Sequence, residues 1–418
     1  MTTPADLQRR RFLRDSARYA LMLSVASSSL LTSADSAAAG TASLARVRGG
    51  RLRGNHVNGV HRFLGVPYGA DTASRRFQPA LPEVPWRGVR DAVAYGSAAP
   101  QGGGEGPGSE DCLFLNVWTP ALRDGRRRPI LFYNHGGAYN NGSGSDPLYD
   151  GSALCQRGDV VVVTVNHRLN VFGYLYLGQL GDERFADSGN VGQLDLIQAL
   201  QWVREHAHEF GGDADNITVF GQSGGGAKIA TLMAMPAAKG LFHKAWTMSG
   251  QQVTAAGPRA ATQRARIAME AVGARDVDTL LALPASALLT ATKARDPSRV
   301  ESTSLYFGPV LDGDALPVHP FWPQAPAQSA GVPMVIGNTH DETRAFLGND
   351  AANFELTWES LPAKLEKEQG CSFNEVDVDA FRAAVQPEYD RMVKEDGVTA
   401  GFFEQAQAIL AQYRQANK

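Results

Sequence analysis

Residues 217–226 read Ile-Thr-Val-Phe-Gly-Gln-Ser-Gly-Gly-Gly, and no other run constrains the fold as tightly. Four β-branched or aromatic side chains form a short strand pattern that stops against glycines on both sides of one serine. A helical stretch, Ala227 to Met235, follows directly. A chain that passes from strand to helix across so few residues leaves no room for Cβ atoms beside the bend, so glycine is needed there. Ser223 is then left at the tip, with the free N–H groups of a helix N-terminus behind it. That is the setting of a nucleophile elbow. Without the flanking strand and helix, the same glycines would read as an ordinary turn.

The elbow sits in a larger alternation. Runs rich in apolar and β-branched residues lie at Leu113–Trp118, Pro129–Asn134, Asp159–Asn166, Ile217–Phe220, Lys244–Met248 and Val332–Gly337. Several are almost continuously apolar, as expected of strands buried on both faces of a mostly parallel sheet. Helical patterns lie between them. The clearest is Val191 to Phe210, where Leu194, Ile197, Leu200, Val203, Ala207 and Phe210 recur at three or four residues. Its polar positions, among them Glu205, His206 and His208, are expected to face mostly solvent. Strand–helix alternation predicts a doubly wound α/β architecture, with sites beyond the carboxyl ends of the strands.

A second glycine turn follows the run at 129–133. Asn134-His135-Gly136-Gly137-Ala138-Tyr139 lets backbone N–H groups come close to a tetrahedral intermediate. Together with the N–H of Gly224, the N–H groups of Gly137 and Ala138 form a candidate oxyanion hole. Alone, the segment is a strand-ending turn; its pairing with a downstream elbow favours the catalytic reading.

With 43% hydrophobic and 20% charged residues and a net charge of −3, the chain shows no basic face that would draw nucleic acid or anionic lipid. The N-terminus differs. Gln8-Arg9-Arg10-Arg11-Phe12-Leu13-Arg14, a mildly apolar stretch Tyr19–Leu31 and Ala37-Ala38-Ala39 read as a twin-arginine export signal over residues 1–39. The expected location is periplasmic or extracellular, without a stable membrane anchor. The rest, 40–418, reads as one catalytic domain. Gln101 to Ser109 reads as a flexible loop. The three cysteines, Cys112, Cys155 and Cys371, have no metal-site spacing, and neither H-E-x-x-H nor a dinucleotide fingerprint occurs in the right context. No metal or organic cofactor is implied.

The chain as a whole resembles the type B carboxylesterase family, which includes cholinesterases and bacterial p-nitrobenzyl esterases. The matching segments are Phe63–Gly69 with Arg76-Phe77, Ser109–Trp118, the glycine turn 135–139 and Val161–Phe172. They continue with Asn190–Gly226, Gly240–Gly250, Phe307–Asp312 and Gly337–Glu342. The resemblance implies the α/β-hydrolase fold and a triad in the order Ser, Glu or Asp, His. Ser223 falls on the nucleophile and Glu342 on the acid. The implied activity is carboxylic ester hydrolysis through a serine acyl-enzyme, on a small-molecule ester.

The sequence departs from that pattern. The triad histidine is not found: the last histidine, His340, stands two residues before Glu342, and 343–418 contains none. The expectation is that the chain stops before the family's last strands and its histidine loop, so that activity is weak or lost. Val376–Lys418 reads as helices, with Phe402, Ala406, Ile409 and Tyr413 on one stripe. The rival readings are a non-catalytic binding protein and an acyltransferase. The cysteine partner that the family places upstream of Cys112 falls on Ala99, so its loop disulfide is not expected. With no tryptophan between Ala99 and Cys112, choline esters are disfavoured.

Overall fold

The computed structural model describes residues 41–102, 108–299, 304–342, 351–357, 359–369 and 383. They fall into two compact units. The first holds the described residues up to Asp296 together with Ser304–Glu342, and the second those of Pro297–Thr303 and Thr343–Lys418. In the second unit the described structure is a 3-10 turn at Ala351–Phe354 and a helix at Leu361–Gln369. The expected export signal and the helices expected over Val376–Lys418 lie outside the described residues, as does Cys371.

The first unit is built on one sheet. Its strands are β1 (Thr41–Val47), β2 (Gly50–Val57), β3 (Val60–Pro67), β4 (Val89–Asp91), β5 (Phe114–Thr119), β6 (Arg128–Asn134), β7 (Val161–Val165), β8 (Gly212–Gln222), β9 (Lys244–Met248) and β10 (Met334–Gly337). They lie in the order β1-β2-β3-β5-β7-β6-β8-β9-β10, with β4 beside β2. From β7 to β10 every pair is parallel, whereas β1, β2, β3, β5 and β7 pair antiparallel. This is the mostly parallel body that the apolar runs predicted, with an antiparallel flank. The strands expected at 113–118, 129–134, 159–166, 217–220, 244–248 and 332–337 are all present, within a few residues.

Helices pack on both faces of the strands. On one side Val117, Phe132, Val163 and Val219 form a core with α3 (Val191–His206) and α4 (Gly224–Ala234), through Leu196, Ile197, Leu200, Ile229 and Leu232. On the other, Trp118 and Val162 pack with Cys155 of α1 (Ser152–Gly158). A short α2 (Asn170–Tyr174) precedes α3. The helix expected over 191–210 is α up to His206 and closes as a 3-10 turn, Ala207–Phe210.

One expectation on that helix is corrected. Glu205 and His208 face solvent, but His206 is buried. Its ring meets Trp202 edge-on at 4.5 Å, and its Nε2 accepts the Arg48 N–H at 3.1 Å. Helical spacing marked it as polar and therefore outward; an acceptor was needed where the β1–β2 turn crosses the helix, and that decided its burial.

The core contains one ion pair with both side chains out of water. Asp195 of α3 accepts from Arg168 through its backbone N–H at 3.0 Å, Nε at 2.8 Å and Nη2 at 2.6 Å. The side chains are 2% and 0% exposed. Removing one partner leaves the other charge without its counter-ion. We expect Asp195→Ala to lower stability by about 3–5 kcal/mol in urea unfolding, far more than loss of an exposed pair. An Arg168→Met/Asp195→Leu double variant should recover most of that loss.

Candidate active site

Ser223 sits between the end of β8 and the start of α4 with φ 54° and ψ −124°. A residue with a Cβ is strained there, by about 1–3 kcal/mol. Backbone contacts on two sides hold it. Its N–H donates to Met248 O at 2.7 Å, and its carbonyl accepts from Ala227 N–H at 3.2 Å in the first turn of α4. Gly250 packs so tightly that an added Cβ would lie 1.7 Å from Ser223 O. The serine is half-buried, and among the described residues its hydroxyl has no hydrogen-bond partner.

The glycine turn after β6 faces this bend. A Cβ built on Gly136 would lie 3.6 Å from Ser223 Cβ, and one built on Gly224 would lie 2.3 Å from Ala138 O and 2.5 Å from Ala138 N. Gly137 and Ala138 take left-handed φ values of 84° and 50°. Thus Gly137, Ala138 and Gly224, named from sequence as amide donors, are brought together beside Ser223. The turn is fixed from behind. Asn140 and Asn141 N–H groups return to Gly137 O at 3.1 and 3.2 Å, and Asn170 N–H donates to Tyr139 O at 2.7 Å. Asn170 Nδ2 also donates to Asn140 O at 3.1 Å.

Glu342 lies beyond β10, two strands away from Ser223. Its carboxylate accepts from the Thr339 and Ser249 hydroxyls, and these bonds hold its pKa below the usual carboxylate range. Ser249 follows β9 directly, with φ 49°; its N–H donates to Gly337 O at 2.7 Å and its Oγ accepts Thr339 N–H at 3.1 Å. Ser249 therefore links the ends of β9 and β10 and touches Glu342. Sequence reasoning missed it. The signal available was a serine–glycine pair closing the strand run 244–248.

The nine histidines are all described, and none hydrogen-bonds to Ser223 among the described residues. His56 and His61 stack on each other at 4.2 Å, and His243 and His319 accept the Ile217 and Ala255 N–H groups. His206 serves Arg48, His208 is exposed, and the His340 side chain is 96% exposed beside Asp341. His135 and His167 are fully buried and stacked at 5.0 Å, and their Nδ1 atoms lie 2.8 Å from the Gly136 and Arg168 carbonyls. Burial, with Lys228 nearby, pushes both imidazoles well below their ordinary range. Through its contact with the Gly136 carbonyl, His135 orders the glycine turn.

Of the cysteines, Cys112 and Cys155 are buried free thiols, and burial pushes Cys155 up to about 12. Cys112 shares a core cluster with Ala99. Tyr139, Tyr174 and Tyr306 form an aromatic group beside the glycine turn, with Tyr139 5.0 Å from Tyr174 and 6.4 Å from Tyr306.

Comparison with known proteins places this geometry in context. The profile of the Carboxylesterase family matches residues 40–409. The chain is 40% identical over 357 residues to the para-nitrobenzyl esterase of Bacillus subtilis (strain 168), covering 82% of this chain and 71% of that protein. It is 36% identical to the phenmedipham hydrolase of Pseudarthrobacter oxydans, covering 72% of this chain and 62% of that one. Among solved structures it is similar to a carboxylesterase of Geobacillus stearothermophilus, with a TM-score of 0.69 and 39% identity over 81% of this chain and 69% of that one.

The strained bend gives a direct test. Ser223→Gly relieves the left-handed conformation but adds chain entropy to the unfolded state, about 0.4–1 kcal/mol. Ser223→Ala keeps the strain. Equilibrium unfolding of the two should show the glycine variant the more stable by about 1 kcal/mol.

Proposed function

This chain belongs to the carboxylesterase family, and on that premise we propose that it acts on small-molecule carboxylic esters through a Ser223 acyl-enzyme. The observation that carries the reading is the strained Ser223, held against the amide-bearing turn Gly136–Ala138. In the first step a bond forms between Ser223 Oγ and the acyl carbon, and the alcohol leaves with the serine proton. In the second, water attacks the acyl carbon, the bond from that carbon to Oγ breaks, one water proton returns to Oγ and the carboxylic acid is released. The N–H groups of Gly137, Ala138 and Gly224 take up the charge that develops on the carbonyl oxygen in both steps. No step calls for a metal or an organic cofactor.

Glu342 is the proposed acid, held anionic by the Thr339 and Ser249 hydroxyls. Such a carboxylate orients and stabilises a protonated base. None of the nine histidines hydrogen-bonds to Ser223 or Glu342, so none is assigned as that base. Loss of a triad histidine costs on the order of 10⁶ in kcat, with about 10³–10⁴ over water left to the oxyanion hole. Slow turnover of this sequence is the proposal. Short or medium uncharged acyl esters are the proposed substrate class. Export is proposed from Arg9–Arg11 and the apolar stretch after them.

Turnover of p-nitrophenyl acetate and butyrate by the wild type should exceed that by Ser223→Ala. Equal rates in both would remove Ser223 as the nucleophile. Glu342→Gln should keep acylation by an activated ester within a few fold of wild type, because no base in this sequence depends on it. A fall as deep as that of Ser223→Ala would show that a base is recruited.

A further inference from the structure

Lys228 stands on α4, five residues beyond Ser223, and its side chain is entirely out of water. No carboxylate pairs with it among the described residues. Its Nζ makes one hydrogen bond, to His135 O at 2.9 Å. A buried amine held by a single neutral acceptor costs stability, since an aliphatic side chain of similar length would fill the space without desolvating a cation. The placement of that one bond gives the residue a purpose. His135 is the residue before Gly136, Gly137 and Ala138, so its carbonyl is the root of the turn whose amides face the serine.

We propose that Lys228 is a positioning residue of the oxyanion hole: it grips the His135 carbonyl from beneath and sets its ammonium behind the Gly137 and Ala138 amides. This inference rests on the reading of Ser223 as a nucleophile. Two things follow from the geometry. The grip fixes the pitch of the turn relative to α4, because Lys228 and Ser223 share that helix. The charge adds to the field felt by a developing oxyanion, and because Lys228 itself is sealed from water that field is screened less than one from a surface cation.

The surroundings set when that charge is present. Desolvation pushes Lys228 down to about 7. The titratable groups on the elements packed around it are His135 after β6, His167 after β7, and Asp195 of α3, which is committed to Arg168. Both imidazoles are neutral across this range, because burial beside Lys228 keeps them well below their ordinary value. Raising the pH through 7 therefore removes the ammonium and leaves a neutral amine that still donates to His135 O. The grip weakens and the field is lost; both effects slow reaction at Ser223 as pH rises.

The test is the second-order rate of Ser223 labelling by a fluorophosphonate, in which an Oγ–P bond forms, the P–F bond breaks, fluoride leaves and the serine proton passes to solvent. Wild type and Lys228→Met are compared at pH 6.5 and 8.5, with Ser223→Ala as the blank. The expected result is labelling of Lys228→Met about tenfold slower at pH 6.5, with the deficit shrinking severalfold at pH 8.5. Equal rates for a folded variant, or a deficit identical at both pH values, would overturn the proposal. A purely structural role gives the second of these. Should the methionine variant fail to fold, Lys228→Gln replaces the charged donor with a neutral one; it should be slow at pH 6.5 and near wild type at 8.5, and equality at both would count against the idea. Label on the wild type with no difference between variants defeats this inference alone. Absence of label on the wild type defeats the nucleophile reading and this inference with it.

Discussion

The site depends on backbone segments lying closer together than side chains permit. Gly250 against Ser223 O, Gly224 against Ala138 and Gly225 against Asn134 O are contacts in which an added Cβ would fall within 1.7–2.3 Å of a carbonyl oxygen. Such contacts bring three loops, after β6, β8 and β9, to one point. They also account for the conformation of the serine. A residue at φ 54° is stable only when its surroundings fix it, and here Met248 O, Ala227 N–H and Gly250 do so.

Close approach of main chain has a second consequence: the polar groups behind it are sealed from water. Asn134, His135, His167, Asn190, Gln193, Asp195 and Lys228 are all buried beneath the loops. Some of this polarity is consumed directly. Asn190 Nδ2 donates to Val310 O at 2.7 Å, and Gln193 Nε2 donates to Lys228 O at 3.2 Å. Breaking either bond would leave a buried group unpaired at about 1–3 kcal/mol, which favours the observed loops, while Asn134 Nδ2 and Oδ1, His135 Nε2, His167 Nε2 and Gln193 Oε1 have no hydrogen-bond partner among the described residues. The polar interior thus gives the glycine contacts a fixed backing that flexible backbone alone would lack.

What the sequence disclosed, and what it withheld, follows from how local each signal is. The elbow was legible because strand, glycines and helix are contiguous over 217–235. The parallel body was legible because β6 to β10 are dense in apolar residues, whereas β1 to β3, at 41–67, mix apolar residues with Arg46, Arg51, Arg53 and Arg62 and escaped notice. Helical periodicity found the apolar stripe of α3 but assigned His206 to solvent, and it had no means of placing Gln193 and Asp195 inside. Burial of a polar residue is decided by a partner far along the chain: Arg48 for His206, Arg168 for Asp195, Lys228 for Gln193. Ser249 escaped for the same reason, since its role exists only once β9 and β10 lie side by side. Glu342 was placed by resemblance to a family, not by anything in its own neighbourhood.

Strand register sets the distance between Glu342 and Ser223. Gln222, Met248 and Gly337 are paired across β8, β9 and β10, so Ser223, Ser249 and Asn338 are the next residues in one row. Neighbouring strands lie about 4.8 Å apart, which puts the end of β10 roughly 10 Å from the end of β8. A carboxylate launched from the β10 side cannot hydrogen-bond to the serine across that gap and still keep its bonds to Thr339 and Ser249. Ser249 stands at the end of β9 between them, and Gly137 and Ala138, on the turn that faces Ser223, are exposed. The sheet spacing therefore separates Glu342 from Ser223 by the width of β9, with Ser249 between them.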